Sequence, residues 1–486
     1  MNYPTLCAAL CLALIGAVSG AGLREEFTWS RITYRWPGVG GVAAASRAKR
    51  YAGSLVVEDP TLVPSEQIGG RFDDADGAPE GIDYNHVNNI PMGANVWRNK
   101  LFITVPRRRL GVPSTLNYVP LDSRQKHNVP LIPYPNWEVN TYPDPTNSGE
   151  NLVSLYRVAV DPCDRLWFVD TGLVEVLSAN VSRIRPATIG IIDLHTDRIV
   201  HSFHIPSDQI RPTSGLASIT IDVTKNTCDD AYAYVPDLGG YGLIVYSLRE
   251  NRSWRISHNY FYLEPLAGEF HISGHDFQWN DGVFSVELTS LRSDGYRDLY
   301  FHSMAGTHMY KVSTRILRNE TLATRSYHEH DFEVIGDRGA ESQTSSADIH
   351  QPTGVMFLSL VNQNAMACWN THKPLQTISI VQKDDRRMIY PCDLKVSGDK
   401  VYLLTNTMPE FLYGRLDYDA TNFRVWSNDV ASAVAGTACS GRGSTRPAGH
   451  RPGSSGYASE SNGDQSYAAS RPRPYRGSRT YRRIYE

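Results

Sequence analysis

Leucine-rich helical stretches are scarce after the first twenty residues of this 486-residue chain, and no later run is apolar enough to suggest a membrane span. Strong charge of one sign is missing as well. The 48 basic and 51 acidic side chains leave a formal charge of -3, which argues against a nucleic-acid partner. Cysteine is sparse, at 7, and no two are spaced Cys-x-x-Cys, so zinc-ribbon and thioredoxin readings are excluded. HExxH, P-loop and nucleophile-elbow patterns are all absent. "GVGGVA" (38–43) has the spacing of a dinucleotide loop but follows no strand. "FDDADGAPE" (72–80) is acidic without EF-hand spacing. His271 and His275 would suit zinc only on a helix, and their segment reads as a loop entering a strand. No metal and no cofactor are expected.

What is present begins with an apolar run, "LCAALCLALIGAV" (6–18), followed by the small residues "SGAG". This reads as a secretory signal over 1–20, too short to span a bilayer, so the mature chain is expected outside the cell with no membrane partner. Three sequons fit that route, at Asn180, Asn251 and Asn319. Cys163, Cys228, Cys368, Cys392 and Cys439 remain after signal removal, an odd number that suggests two disulfides and one free thiol.

Beyond residue 90, short apolar runs end in Gly, Asp, Asn or Pro, as in "KLFITVP" (100–106), "RLWFVD" (165–170), "GLIVYSL" (242–248) and "KVYLLTN" (400–406). An aspartate closing a strand recurs at Asp161, Asp222, Asp276 and Asp393, which suggests about six units of several strands each. A unit of that length reads as a propeller blade, whose two faces are covered only when blades stack in a ring. The fold class is therefore all-β, a six-bladed β-propeller over 91–439. A β-sandwich or a pair of barrels is the alternative. Residues 21–90 read as an N-terminal strand segment with a low-complexity arm, and "RAKR", ending at Arg50, has the pattern of a processing site. Residues 440–486, rich in Gly, Ser, Arg and Tyr, read as a disordered tail. Polar residues at blade ends, Asp170, Asp237, Glu287 and Asn406, are the candidates for lining a channel, or else turn residues that bind backbone amides.

The words "LFITVPRRRLGVPSTLNYV" (101–119), "DPCDRLWFVDTG" (161–172), "CDDAYAYVPDLGGYGLIVYS" (228–247) and "MPEFLYGRLDYDATNFRVW" (408–426) are long and keep their order along the chain. In them the chain resembles the insect Yellow / major royal jelly protein family, in its Yellow branch. The resemblance implies a six-bladed propeller, a Cys163–Cys228 and a Cys368–Cys439 disulfide, and Cys392 as the free thiol. Amine-binding relatives carry an Asn in the last blade and an aromatic two residues later; Asn406 and Met408 stand there. The expected function is cuticle pigmentation, melanization or hardening, with a small catechol or indole amine bound in the channel. In that reading Asn406 gives the hydrogen bond and an acid such as Asp237 or Glu287 pairs with the ammonium. Two alternatives stay open. One is a dopachrome tautomerase, for which the sequence names no catalytic group. The other is a cuticle or eggshell matrix protein held by its Tyr/Arg tail.

Overall fold

The computed structural model describes residues 22–37, 78–79, 81–142, 151–178 and 180–441. The signal, "GVGGVA", "RAKR" and the tail from 442 onward lie outside these residues. Among the described residues, six four-stranded antiparallel sheets form the blades of a propeller. The innermost strand of each blade is, in order, Gly93–Trp97, Leu155–Val160, Thr220–Asp222, Val283–Leu288, Thr344–His350 and Pro391–Ser397. The ring closes through the N-terminus. Arg24–Trp29 pairs antiparallel with Phe423–Asp429 as the outermost strand of blade six.

Burial explains the strand sequences. Middle strands are covered by a neighbouring blade on each face, so Gly242–Ser247, Val355–Leu360 and Ala365–Asn370 are buried at every residue and read as continuous apolar runs. The outermost strand of blade two, Arg198–His204, alternates exposed and half-buried positions because solvent meets one face. Trp167, Trp369 and Trp426 fill the spaces between blades, and burying a ring of that size contributes roughly 2–3 kcal/mol.

Asp161 shows how a tight turn is built. Its carboxylate accepts the Cys163 amide at 2.8 Å, the Arg165 amide at 3.1 Å and the Trp167 indole N–H at 2.8 Å. Asp164, at φ 57°, takes the left-handed turn position that Asp tolerates. The same turn carries Cys163, bonded to Cys228 on the link between the first and second strands of blade three. Cys368, in blade five, is bonded to Cys439 past the last strand, and Cys392 is a buried free thiol. The recurring aspartates are not equivalent. Asp161 and Asp222 close inner strands, Asp393 sits inside one, and Asp276 lies in a separate two-stranded hairpin, Glu269–Ile272 with His275–Gln278. That hairpin is inserted between blades three and four, which is why counting aspartates misplaces the fourth unit.

Candidate ligand site at the channel mouth

Neighbouring inner strands run in the same direction. Gly93 lies against Arg157, and Asn95 Nδ2 donates to Val158 O at 3.0 Å. Likewise the Leu394 amide donates to Ser346 Oγ at 3.2 Å and the Val396 amide to Asp348 Oδ2 at 2.8 Å, so both members of each pair advance together. Every inner strand therefore starts, and every second strand ends, on one face of the ring. That face gathers Met92 and Arg108 of blade one, Tyr156 of blade two, Trp279 and Asp281 before blade four, and Tyr390, Asn406 and Met408 of blade six.

The inserted hairpin crosses this face. His275 Nε2 lies 2.7 Å from Glu410 Oε2 on the short helix Met408–Tyr413 of blade six. The His271 amide donates to Asn362 Oδ1 of blade five at 2.9 Å. Beneath it Phe270 stacks on Phe277 with centroids 5.5 Å apart, and Trp279 stacks on Tyr390 at 6.1 Å. The hairpin is thus an aromatic cover tied to the far side of the ring.

Three polar groups sit below the cover. Asn406 is fully buried; its Nδ2 donates to Pro91 O at 2.8 Å and meets the Met92 sulfur at 3.2 Å, while its Oδ1 has no partner. Arg108 is 8% exposed, and its Nη1 reaches only sulfur, Met408 Sδ at 2.9 Å and Met92 Sδ at 3.9 Å. Asp281 is partly buried, and burial holds its carboxyl up at about 6, against the downward pull of the Trp279 hydrogen bond and the Arg108 charge. Burial also raises the phenols of Tyr156, Tyr390 and Tyr413, each within the field of Arg108. Such a set can stack a flat ring, hold a charge and move a proton.

Below the mouth, Arg157 reaches across the axis from blade two. Its guanidinium donates to Ser345 O at 3.1 Å and to Cys392 O, and Nε lies 3.4 Å from Asp393 Oδ1. Lys395 Nζ donates to the same Asp393 oxygen at 2.9 Å. Glu287 is also buried here. Ser285 Oγ donates to its Oε1 at 2.7 Å, Oε2 is unpaired, and burial raises the carboxyl to about 8.

The sequence candidates therefore fall into three places. Asn406 and Met408 share the mouth, and Glu287 lies on the inner strand of blade four, apart from them. Asp170 and Asp237 occupy matching positions at the ends of second strands. Asp170 accepts the amides of Val153, Ser154 and Gly172 at 2.6, 2.9 and 3.0 Å. Asp237 accepts the Gly215 and Gly240 amides at 2.9 and 3.0 Å and pairs with Arg255 Nη1 at 2.7 Å. Both bind their own chain, as turn and cap residues do. Sequence reading missed Arg108, Tyr156, Trp279 and Asp281. The only signal for Arg108 was "RRR" (107–109), which looks like a solvated basic turn.

Fold and mouth together define a six-bladed propeller whose axis carries a covered, aromatic-walled polar site. The major royal jelly protein family profile matches residues 153–439. The chain is 39% identical over 438 residues to L-dopachrome tautomerase yellow-f of Drosophila melanogaster, covering 89% of this chain and 98% of that protein. It is 41% identical over 362 residues to Protein yellow of the same fly, covering 74% of this chain and 65% of that protein, just under two thirds of its length. The chain belongs to the insect Yellow / major royal jelly protein family. Among solved structures, virginiamycin B lyase from Staphylococcus aureus aligns over 71% of this chain and 96% of its own at 11% identity, with a TM-score of 0.37.

Proposed function

We propose that this chain is a secreted protein of insect cuticle pigmentation or hardening that takes a catechol-derived indole at the channel mouth and tautomerises it. The observation that carries this reading is Asp281, a carboxyl that burial pushes up to about 6, within the field of Arg108 and under an aromatic cover. Tautomerising dopachrome moves protons from saturated ring carbons to quinone oxygens, with no net oxidation. A carboxylate poised near neutral pH suits removal of a proton from a saturated ring carbon. The name of the yellow-f relative points the same way. Secretion is supported by the two disulfides and by the exposed positions of Asn180, Asn251 and Asn319.

A second reading, binding of a small aromatic amine or catechol without turnover, is favoured by closure of the channel, hairpin above and Arg157 below. One assay separates the two. Purified protein is mixed with fresh dopachrome and the loss of visible colour is followed, with heat-treated protein and Asn406→Ala as controls. Turnover is expected to need folded protein and to fall in Asn406→Ala. No acceleration over the blank, with ligand binding retained in calorimetry, would leave the binding reading alone.

A further inference from the structure

Among the described residues three arginines are buried, and two of them are satisfied by oxygen. Arg107 donates from Nε to Val112 O at 3.0 Å, from Nη1 to Leu152 O and Val153 O at 2.8 and 2.7 Å, and from Nη2 to Pro113 O at 3.0 Å. Arg157 has Ser345 O, Cys392 O and Asp393. Arg108 differs. Its Nε has no partner, its Nη1 meets two thioether sulfurs, and no carboxylate lies within ion-pair distance of it among the described residues. Thioether sulfur is a weak acceptor, so a guanidinium removed from water is left short of the charge-assisted bonds that offset its burial. Asn406 has the opposite deficit, a buried acceptor oxygen without a donor. The two side chains share the Met92 sulfur, at 3.9 Å from Arg108 and 3.2 Å from Asn406.

We propose that Arg108 and Asn406 form a subsite for a carboxylate that stands next to an N–H donor, so that the ligand of the mouth is a carboxylated indoline or amino acid and not a decarboxylated amine. The guanidinium takes the carboxylate and Asn406 Oδ1 accepts from the neighbouring N–H. Aromatic side chains at the mouth flank the ring attached to them. This inference rests on the reading that the mouth takes a catechol-derived indole, and it names the polar group by which such ligands are told apart. Rejection of the amine follows from what it lacks: without a carboxylate, the buried guanidinium stays unpaired in the complex.

The test is calorimetry with two stable probes, indoline-2-carboxylate and indoline, on the full chain. Wild type should bind the carboxylate at least about tenfold more tightly, the usual scale for a charge-assisted bond to a buried partner. Arg108→Gln should reduce the carboxylate to the affinity of indoline. Asn406→Asp, which gives Arg108 a resident carboxylate, should remove the preference without needing the arginine to be lost; if Arg108→Gln fails to fold, this variant and the wild-type ratio decide. Equal binding of the two probes to wild type would overturn the inference and leave the proposed function standing. Binding of neither would overturn both.

Discussion

At the scale of single residues, burial pushes the carboxyls of Asp281, Glu287 and Asp348 upward, with different consequences. Glu287 titrates at about 8 in the folded chain against a usual 4.5. Between those values the folded state holds a proton that the unfolded state has released, so stability falls as pH rises through that window. Glu287→Gln removes the penalty. Thermal melts should show the variant gaining on wild type from pH 5 upward, by up to about 3 kcal/mol near pH 7, at about 1.4 kcal/mol per pH unit. Equal melting curves across that range would mean the carboxyl is not raised. Arg157→Ala should act in the opposite sense. It leaves Asp393 buried beside Lys395 alone, at a cost of about 3 kcal/mol or more. Sequence made part of this scale visible. Asn406 stood out as a polar residue ending an apolar strand, and the structure buries it at the mouth. Arg108 did not stand out, because its lack of oxygen partners arises only when the ring brings Met92 and Met408 against it. Local sequence cannot show that residues 300 positions apart will meet.

At the scale of elements, the strands were legible because burial between blades writes itself into unbroken apolar runs such as Val355–Leu360. The hairpin Glu269–Ile272 with His275–Gln278 was not. Its strands are four residues long and alternate exposed with half-buried or buried positions, too short to separate from a loop. It is held over the mouth by His275 with Glu410 and by Asn362 with His271. Glu410→Gln should loosen that hold, since it removes the charge but keeps the shape. Stopped-flow displacement of a bound indoline should then show faster release, by about two- to fivefold for one partly exposed pair. Unchanged release would mean that the hairpin does not control exit. The disulfides act between elements. Cys163–Cys228 closes 65 residues, and Cys163→Ser with Cys228→Ser should cost about 4 kcal/mol in denaturant melts.

At the scale of the whole molecule, ring closure makes the site. Arg24–Trp29 completes blade six, which supplies Asn406 and Met408, and blade six then meets blade one, where the Ala94 amide donates to Asp393 Oδ2 at 3.0 Å. The repeat count told of six blades, but not that the first strand of the chain would finish the last of them. Pairing across some four hundred residues leaves no local pattern. The most direct measurement is the pH dependence of dopachrome conversion by wild type and by Asp281→Asn, with circular dichroism confirming that both are folded. Asp281 acts as base only when ionised, so the wild-type rate should rise with pH through about 6 and level off above it. Asp281→Asn should lose that rise and at least about a hundredfold in rate. A folded Asp281→Asn that keeps the wild-type profile would contradict a proton-transfer site at the channel mouth.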